Sequence, residues 1–274
     1  MASLISSGIL GVPLLLNLDG ENIEDDLGKS LGYREFYDKL REGSMPSTSQ
    51  INIYTFEEKF RELLNEGYEI LYVGLSSALS GTFNSANMAR NNILEENPNA
   101  KISVVDSLSV SMGVGMLVKK SCDMIEEGKD LEYITTWIEE NKNKVIHSIL
   151  VDDLKHLKRG GRISASTAAV GSLLNIKPIL KIDNNGAVEA TEKIKGKKKA
   201  LKYLATVVKE KALNIESETL YIMHGDALEE AQALKDIILQ ELNFKEIKIQ
   251  YIGTVIGSHG GPGTIATIFW GNER

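Results

Sequence analysis

The apolar run Ile70-Leu71-Tyr72-Val73 empties into Leu75-Ser76-Ser77-Ala78-Leu79-Ser80-Gly81-Thr82, and a helical pattern begins near Thr82 and extends to about Glu96. The same order returns at once: a strand over Ile102–Val105, the polar turn Asp106-Ser107-Leu108-Ser109, then a helix from about Ser111 to Glu127. Strands that alternate with helices point to a parallel sheet. Ligands of such sheets collect beyond the carboxyl ends of the strands, where both polar turns fall. The first turn of a helix has unpaired N–H groups and a partial positive charge, so hydroxyls and amides around Ser76–Thr82 suit a carboxylate or phosphate. The plainer alternative is that these serines only cap the helix.

The 274 residues are enough for two ordinary domains with a buried core. A formal net charge of −7 argues against nucleic acid as the main partner, since phosphate binding needs a basic face. The lone Cys122 excludes an intrachain disulfide and suits a reducing compartment. No apolar run reaches the length of a membrane span, and Met1-Ala2-Ser3-Leu4-Ile5 lacks the basic start of a signal peptide. The expectation is a soluble, cytoplasmic protein.

Around this centre, Val12-Pro13-Leu14-Leu15-Leu16 reads as a strand covered on both faces, with a turn at Asp19-Gly20. A short helix over Phe36–Leu40, a loop carrying Thr48 and a helix over Thr55–Asn65 follow. Leu131–Asn141 is a further helix. From Val145 the texture changes: a strand over Ile146–Val151, a helical turn at Leu154–Leu157, the basic turn Lys158-Arg159-Gly160-Gly161-Arg162 and a small-residue helix over Ser164–Leu174. Asn184-Asn185-Gly186 marks a hairpin between strands Pro178–Ile182 and Ala187–Ile194. A helix over Lys197–Ala212, a strand Thr219–Met223, a helix Ala227–Leu242 and strands Glu246–Ile252 and Thr264–Trp270 complete the chain. The pattern predicts an α/β protein of two domains. Residues 1–144 form a mainly parallel sheet flanked by helices, and residues 145–274 an α/β domain with a mixed, partly antiparallel sheet. Their crevice is the default ligand site.

The second polar cluster is Gly257-Ser258-His259-Gly260-Gly261-Pro262-Gly263-Thr264, read as a tight loop whose glycines let backbone approach a ligand and whose histidine can hydrogen-bond. Ser80 as nucleophile and His259 as base, with Asp106 or Asp226 orienting the ring, would make a hydrolase or acyltransferase. The sequence lacks the G-x-S-x-G elbow, because Gly74-Leu75-Ser76-Ser77-Ala78 misses its last glycine. His147, His156, His224 and His259 are scattered without metal-ligand spacing, so no metal is expected. Gly113-Val114-Gly115 lacks the third glycine of a dinucleotide fingerprint. Lys193, Lys195, Lys197, Lys198, Lys199 and Lys202 crowd a helix start, where cations oppose the dipole. They read either as a solvated face or as a docking patch, while Arg159 and Arg162 can pair with carboxylate or phosphate.

Taken together, Ser76–Thr82, Val105-Asp106-Ser107-Leu108-Ser109, Leu157–Ser164, Leu173-Leu174-Asn175-Ile176-Lys177-Pro178 and Ile256–Thr264 resemble the DegV family in order and spacing, over nearly the whole chain. The resemblance implies a bacterial protein that binds one long-chain fatty acid. The carboxylate would sit at the domain junction and the tail inside the second domain. It implies a carrier without catalysis or cofactor of its own, presenting the acid to a fatty acid kinase for conversion to an acyl phosphate in phospholipid synthesis. By motif position the carboxylate falls to Thr48, Ser80 and His259, with backbone amides near Gly81. Arg159, Arg162 and the patch holding Lys197 and Lys198 would face the kinase. Family members open with a strand ending in Thr-Asp-Ser, and Met1-Ala2-Ser3-Leu4 stands where that turn should already have passed, so the first strand is expected to be missing. Gly260 stands where threonine is frequent.

Overall fold

The computed structural model describes residues 8–163 and 175–274. The helix expected over Ser164–Leu174 and the start of the chain before Gly8 lie outside the described residues. Strand β1 (Leu15–Leu18) pairs antiparallel with β2 (Glu21–Glu24) and with β3 (Ser47–Ser49). Leu16 and Leu18 are buried, whereas Leu15 is 41% exposed, so the strand expected to be covered on both faces is covered on one. Thr48, expected on a loop, lies in β3 opposite Leu16. Pairing with β1 gives its backbone a ladder that no local signal in Pro46–Gln50 announces.

Helices α1 (Tyr33–Glu42) and α2 (Ile53–Asn65) follow the predicted positions, the second capped by the Asn52 side chain accepting from Thr55 N at 2.9 Å. Next come β4 (Ile70–Gly74), α3 (Thr82–Glu96), β5 (Ile102–Asp106), α4 (Met112–Glu126) and α5 (Leu131–Asn141). β4 and β5 pair in parallel, with Gly74 opposite Asp106, so the two polar turns leave the same sheet edge side by side. Among the described residues the parallel part of this half is that pair, beside the antiparallel ribbon β2-β1-β3.

The rest of the chain builds one six-stranded sheet from β6 (Val145–Leu150), β7 (Ile176–Ile182), β8 (Val188–Lys195), β9 (Thr219–His224), β10 (Glu246–Tyr251) and β11 (Ile265–Trp270), in the order β10-β9-β11-β6-β7-β8. Only β9 and β10 run parallel; the other neighbours are antiparallel. The short α6 (Lys155–Arg159) follows β6, α7 (Lys197–Lys211) follows β8, α8 (Leu228–Leu239) follows β9, and α9 (Thr254–Gly260) precedes β11. Mixed parallel and antiparallel sheets flanked by helices are the α/β class that the pattern predicts. Residues Thr254–Gly260, however, are helical where a tight loop is expected at Gly257 onward. Two tertiary contacts hold that turn of helix against its glycine content: the Asp25 carboxylate accepts from Val255 N at 3.4 Å, and Tyr37 Oη donates to Ile252 O at 2.9 Å.

Side chains alternate across the large sheet. One face, with Ile146, Leu150, Ile179 and Ile222, packs under α7 and α8 through Leu201, Leu204 and Leu234. The other face turns toward the first half of the chain. A hairpin fixes how the two meet. Gly186, at φ +80° in the β7–β8 turn, accepts at its carbonyl from Ser76 Oγ at 2.8 Å, and a Cβ there would stand 2.2 Å from that oxygen. Arg274 works on the same seam: its guanidinium donates to Val145 O at 3.1 Å, Lys142 O at 3.1 Å and Asp183 O at 3.0 Å, and to Leu108 O.

Candidate functional site

Between the free face of the six-stranded sheet and the two polar turns lies a cavity with about 110 Å³ open to the centre of a water molecule. Its total empty space, mouth included, is about 960 Å³. Ile149, Ile182 and Ile268 form the sheet wall, and Leu75, Leu79 and Val110 stand opposite. Apolar residues predominate, as in sites for small apolar ligands. Polar groups gather at one place, where Thr48, Gln50, Ser80, Arg162 and His259 line it together.

The geometry of that cluster is set by distant elements. His259, near the end of α9, brings Nε2 to 3.0 Å from Thr48 Oγ1 on β3. The close packing behind the ring explains part of the basic turn: a Cβ at Gly160 would lie 2.1 Å from His259 Nδ1, so only glycine fits. Burial first, then Arg162, Arg159 and His156, push the His259 pKa down to about 4. The ring is therefore neutral near pH 7. With Nε2–H donating to Thr48 Oγ1, the threonine hydroxyl keeps its own hydrogen for a third group.

Ser80 is arranged in the same way. Its Oγ accepts from Thr82 N at 3.3 Å and lies 2.9 Å from Thr82 Oγ1. When Thr82 supplies the hydroxyl hydrogen, Ser80 is left as a donor. Gly81 forms the N-cap of α3 with the Gln50 carboxamide over its α-carbon. Arg162 Nε donates to Leu79 O at 2.9 Å, and Nη1 to Gly160 O. Two hydroxyls able to donate, a guanidinium and a helix start at one end of an apolar cavity are chemically suited to a small anion that carries an apolar tail.

These contacts do not assemble a serine hydrolase. Ser80 turns to Thr82, and His259 to Thr48. The Asp106 carboxylate accepts from the amides of Ser77 and Leu108, and Asp226 pairs with Arg41 at 2.6 Å and accepts from Tyr251 Oη at 3.2 Å. Each acid is committed to local structure, which overturns the expectation that either orients the imidazole. Among the described residues no cluster of three or more His, Cys, Asp or Glu is placed to hold a metal ion. Their helices include none long and apolar enough to cross a membrane.

Thr48, Ser80 and His259 are thus brought together. The residues expected to face outward divide. Arg159 is exposed, but Arg162 turns inward to the cavity. Lys197 is held by Glu230 at 2.8 Å and Asp152 at 3.5 Å, whereas Lys198 is exposed. The inward turn of Arg162 follows from its bond to Leu79 O, a partner 83 residues earlier that sequence spacing cannot announce. Gln50 and His147 also line the cavity and escaped the sequence reading. For His147 a signal existed: it shares the period of Ile149 and Val151 in the strand.

The family model described as "Uncharacterised protein, DegV family" matches residues 3–271. A DegV domain-containing protein of Clostridium perfringens is 45% identical over 261 residues, covering 95% of this chain and 90% of its own. Among solved structures, a DegV family protein from Thermus thermophilus described by its fatty acid binding shares 32% identity at a TM-score of 0.87, over 98% of this chain and 94% of that one. The Streptococcus pneumoniae fatty acid kinase (Fak) B3 protein loaded with linoleic acid has a TM-score of 0.81 over 95% of this chain and 90% of that one; at 24% identity the likeness is one of fold.

Proposed function

Since the chain belongs to the DegV family, we propose that it binds one long-chain fatty acid and presents the carboxylate to a fatty acid kinase. The observation that carries the reading is the cavity itself, apolar over most of its wall and furnished at one end with Thr48, Ser80, Arg162 and His259. The fatty acid bound by the Thermus thermophilus protein supports the ligand class. The kinase rests on the family resemblance and on a fold neighbour that carries the kinase's name.

Magnitudes divide the labour. Burying a sixteen-carbon chain removes about fourteen methylenes from water at roughly 0.8 kcal/mol each, or about 11 kcal/mol gross. The tail supplies affinity. Charge-assisted hydrogen bonds add roughly 1.5 to 3 kcal/mol each and keep the carboxylate from being buried unpaired. They fix which end faces outward. In this reading the protein contributes no bond-breaking chemistry, and phosphoryl transfer belongs to the partner. Arg159 and Lys198, both exposed, remain available to a docking surface, with Arg162 reassigned to the head group. The division at residue 144 separates the part that supplies Thr48, Ser80 and Gly81 from the part that supplies His259 and the sheet wall.

Native mass spectrometry of the purified full chain, followed by solvent extraction, tests the reading. A stoichiometric long-chain fatty acid is expected. A protein that is empty and also refuses added fatty acid would overturn it.

A further inference from the structure

Ser80 lines the cavity, but the residue that orders its hydroxyl does not. Thr82, the first residue of α3, is 2% exposed and stands behind the cavity wall. The backbone of Ser80 is already fixed, because the amides of Leu79 and Ser80 both donate to Ser76 O, at 3.0 and 3.1 Å. What that turn leaves open is the direction of the Ser80 hydroxyl, which rotates to suit its partners.

Thr82 narrows that freedom from behind. A serine oxygen offers two acceptor sites and one hydrogen. Thr82 N donates to Ser80 Oγ at 3.3 Å, and Thr82 Oγ1 lies 2.9 Å from the same oxygen. One step further back, Ile51 N, which can only donate, gives its hydrogen to Thr82 Oγ1 at 3.3 Å. Among the described residues the remaining partner of Thr82 Oγ1 is Ser80 Oγ. With an anion in the cavity the series runs in one direction: Ile51 N–H to Thr82 Oγ1, the threonine hydrogen to Ser80 Oγ, and the serine hydrogen to the anion. Both acceptor sites of Ser80 are then filled from the protein side. The stiff χ1 of a β-branched residue holds the middle link in place, and hydrogen bonds in series polarise one another.

We propose that Thr82 is a positioning residue of the head-group site: without touching the ligand, it holds the Ser80 hydroxyl as a donor, so that this end of the cavity takes a group that only accepts. This rests on the fatty-acid reading of the cavity and deepens it. Valine at position 82 keeps the shape of threonine and breaks the series in its middle. Ser80 then keeps the amide bond from residue 82 but regains its rotation, and Ile51 N loses its acceptor. Serine at position 82 restores every link.

The test is a double-mutant cycle of palmitic acid affinity on the delipidated full chain, read by calorimetric titration. Thr82→Val is expected to weaken binding roughly three- to tenfold, and Thr82→Ser to stay within about twofold of the native protein. On the Ser80→Ala background the same valine should cost less than about twofold, because the hydroxyl it disorders is already gone. A general loosening of the fold would instead lower affinity by the same factor on both backgrounds. Thr82→Ala, whose smaller side chain leaves room for a water at Ile51 N, takes the place of valine in the cycle if valine does not fold. The proposal is overturned if the valine and alanine variants bind palmitic acid as the native protein does, if the loss is equal with and without the Ser80 hydroxyl, or if serine at position 82 fails to restore binding. Failure of the native protein to bind palmitic acid would overturn the fatty-acid reading and this inference together, whereas native binding with a flat response to Thr82 overturns this inference alone.

Discussion

His259 Nε2 lies 3.0 Å from Thr48 Oγ1 across 211 residues of chain. The bond spans the proposed division between the two halves, and with Nε2–H as its donor the threonine hydrogen is free for an anion in the cavity. Thr48→Val keeps the shape and removes that donor. Fatty acid affinity, measured by calorimetric titration, is expected to drop roughly ten- to hundredfold, the equivalent of one charge-assisted bond. An unchanged affinity would remove Thr48 from the head-group site.

Ser80→Ala should weaken fatty acid binding by a similar factor and abolish acyl phosphate formation when a fatty acid kinase and ATP are supplied, with the circular dichroism spectrum unchanged. The same variant separates the carrier from an enzyme. If the native protein turned over a chromogenic acyl ester and Ser80→Ala did not, hydrolysis would replace carriage as the reading.

The ligand-free protein should lose stability as the pH falls through the window between about 6.5 and 4. Burial holds the folded-state pKa of His259 near 4, below its ordinary 6.5. The unfolded chain therefore binds the proton first, and unfolding gains on folding as acid is added. Burial also lowers His156 and His224, and His147 falls to about 3, so their contributions have the same sign. His259→Gln should flatten the urea midpoint-versus-pH curve over that window relative to the native protein. A curve of unchanged slope would show that His259 does not titrate as its surroundings dictate.

Gly186→Ala should destabilise the protein by about 2 kcal/mol or more, through a left-handed backbone and a Cβ placed 2.2 Å from Ser76 Oγ. Gly20→Ala is the control: φ is +91° there, but nothing lies within 4 Å of the added carbon. Urea unfolding of both variants separates backbone strain from the clash at the seam. Equal losses would mean that the hairpin does not rely on Ser76.

The order of strands and helices was legible because apolar period and turn chemistry are local properties. The Asn184-Asn185-Gly186 hairpin and the strand-to-helix turn at Ser76–Thr82 stand where the sequence pattern places them. The polar turns holding Ser80 and His259 were legible as ligand-facing from their own residues, but Thr48, and the grouping of all three around one carboxylate, were reachable only through the family resemblance, since they come from separate elements and no spacing relates them. What stayed hidden depended on distant partners. β1 is one-sided because Leu15 faces solvent, Thr48 gains a ladder from β1, and Thr254–Gly260 is helical because Asp25 and Tyr37 brace it. Arg162 turns inward for a carbonyl at Leu79. Lys197 looked free in a lysine-rich run, yet its acids, Asp152 and Glu230, come from elsewhere in the chain.

The cavity takes one wall from the strand-to-helix turns and the other from the six-stranded sheet. Cargo held there is mortar as well as freight: removing it strips apolar contacts from both walls at once. Mass action then makes the melting point report occupancy, rising with free fatty acid. The hydrogen bonds of Ser76 to Gly186 and of Arg274 to Leu108 tie the same two walls together, so an empty cavity leaves those few polar contacts to hold what cargo would otherwise help to join.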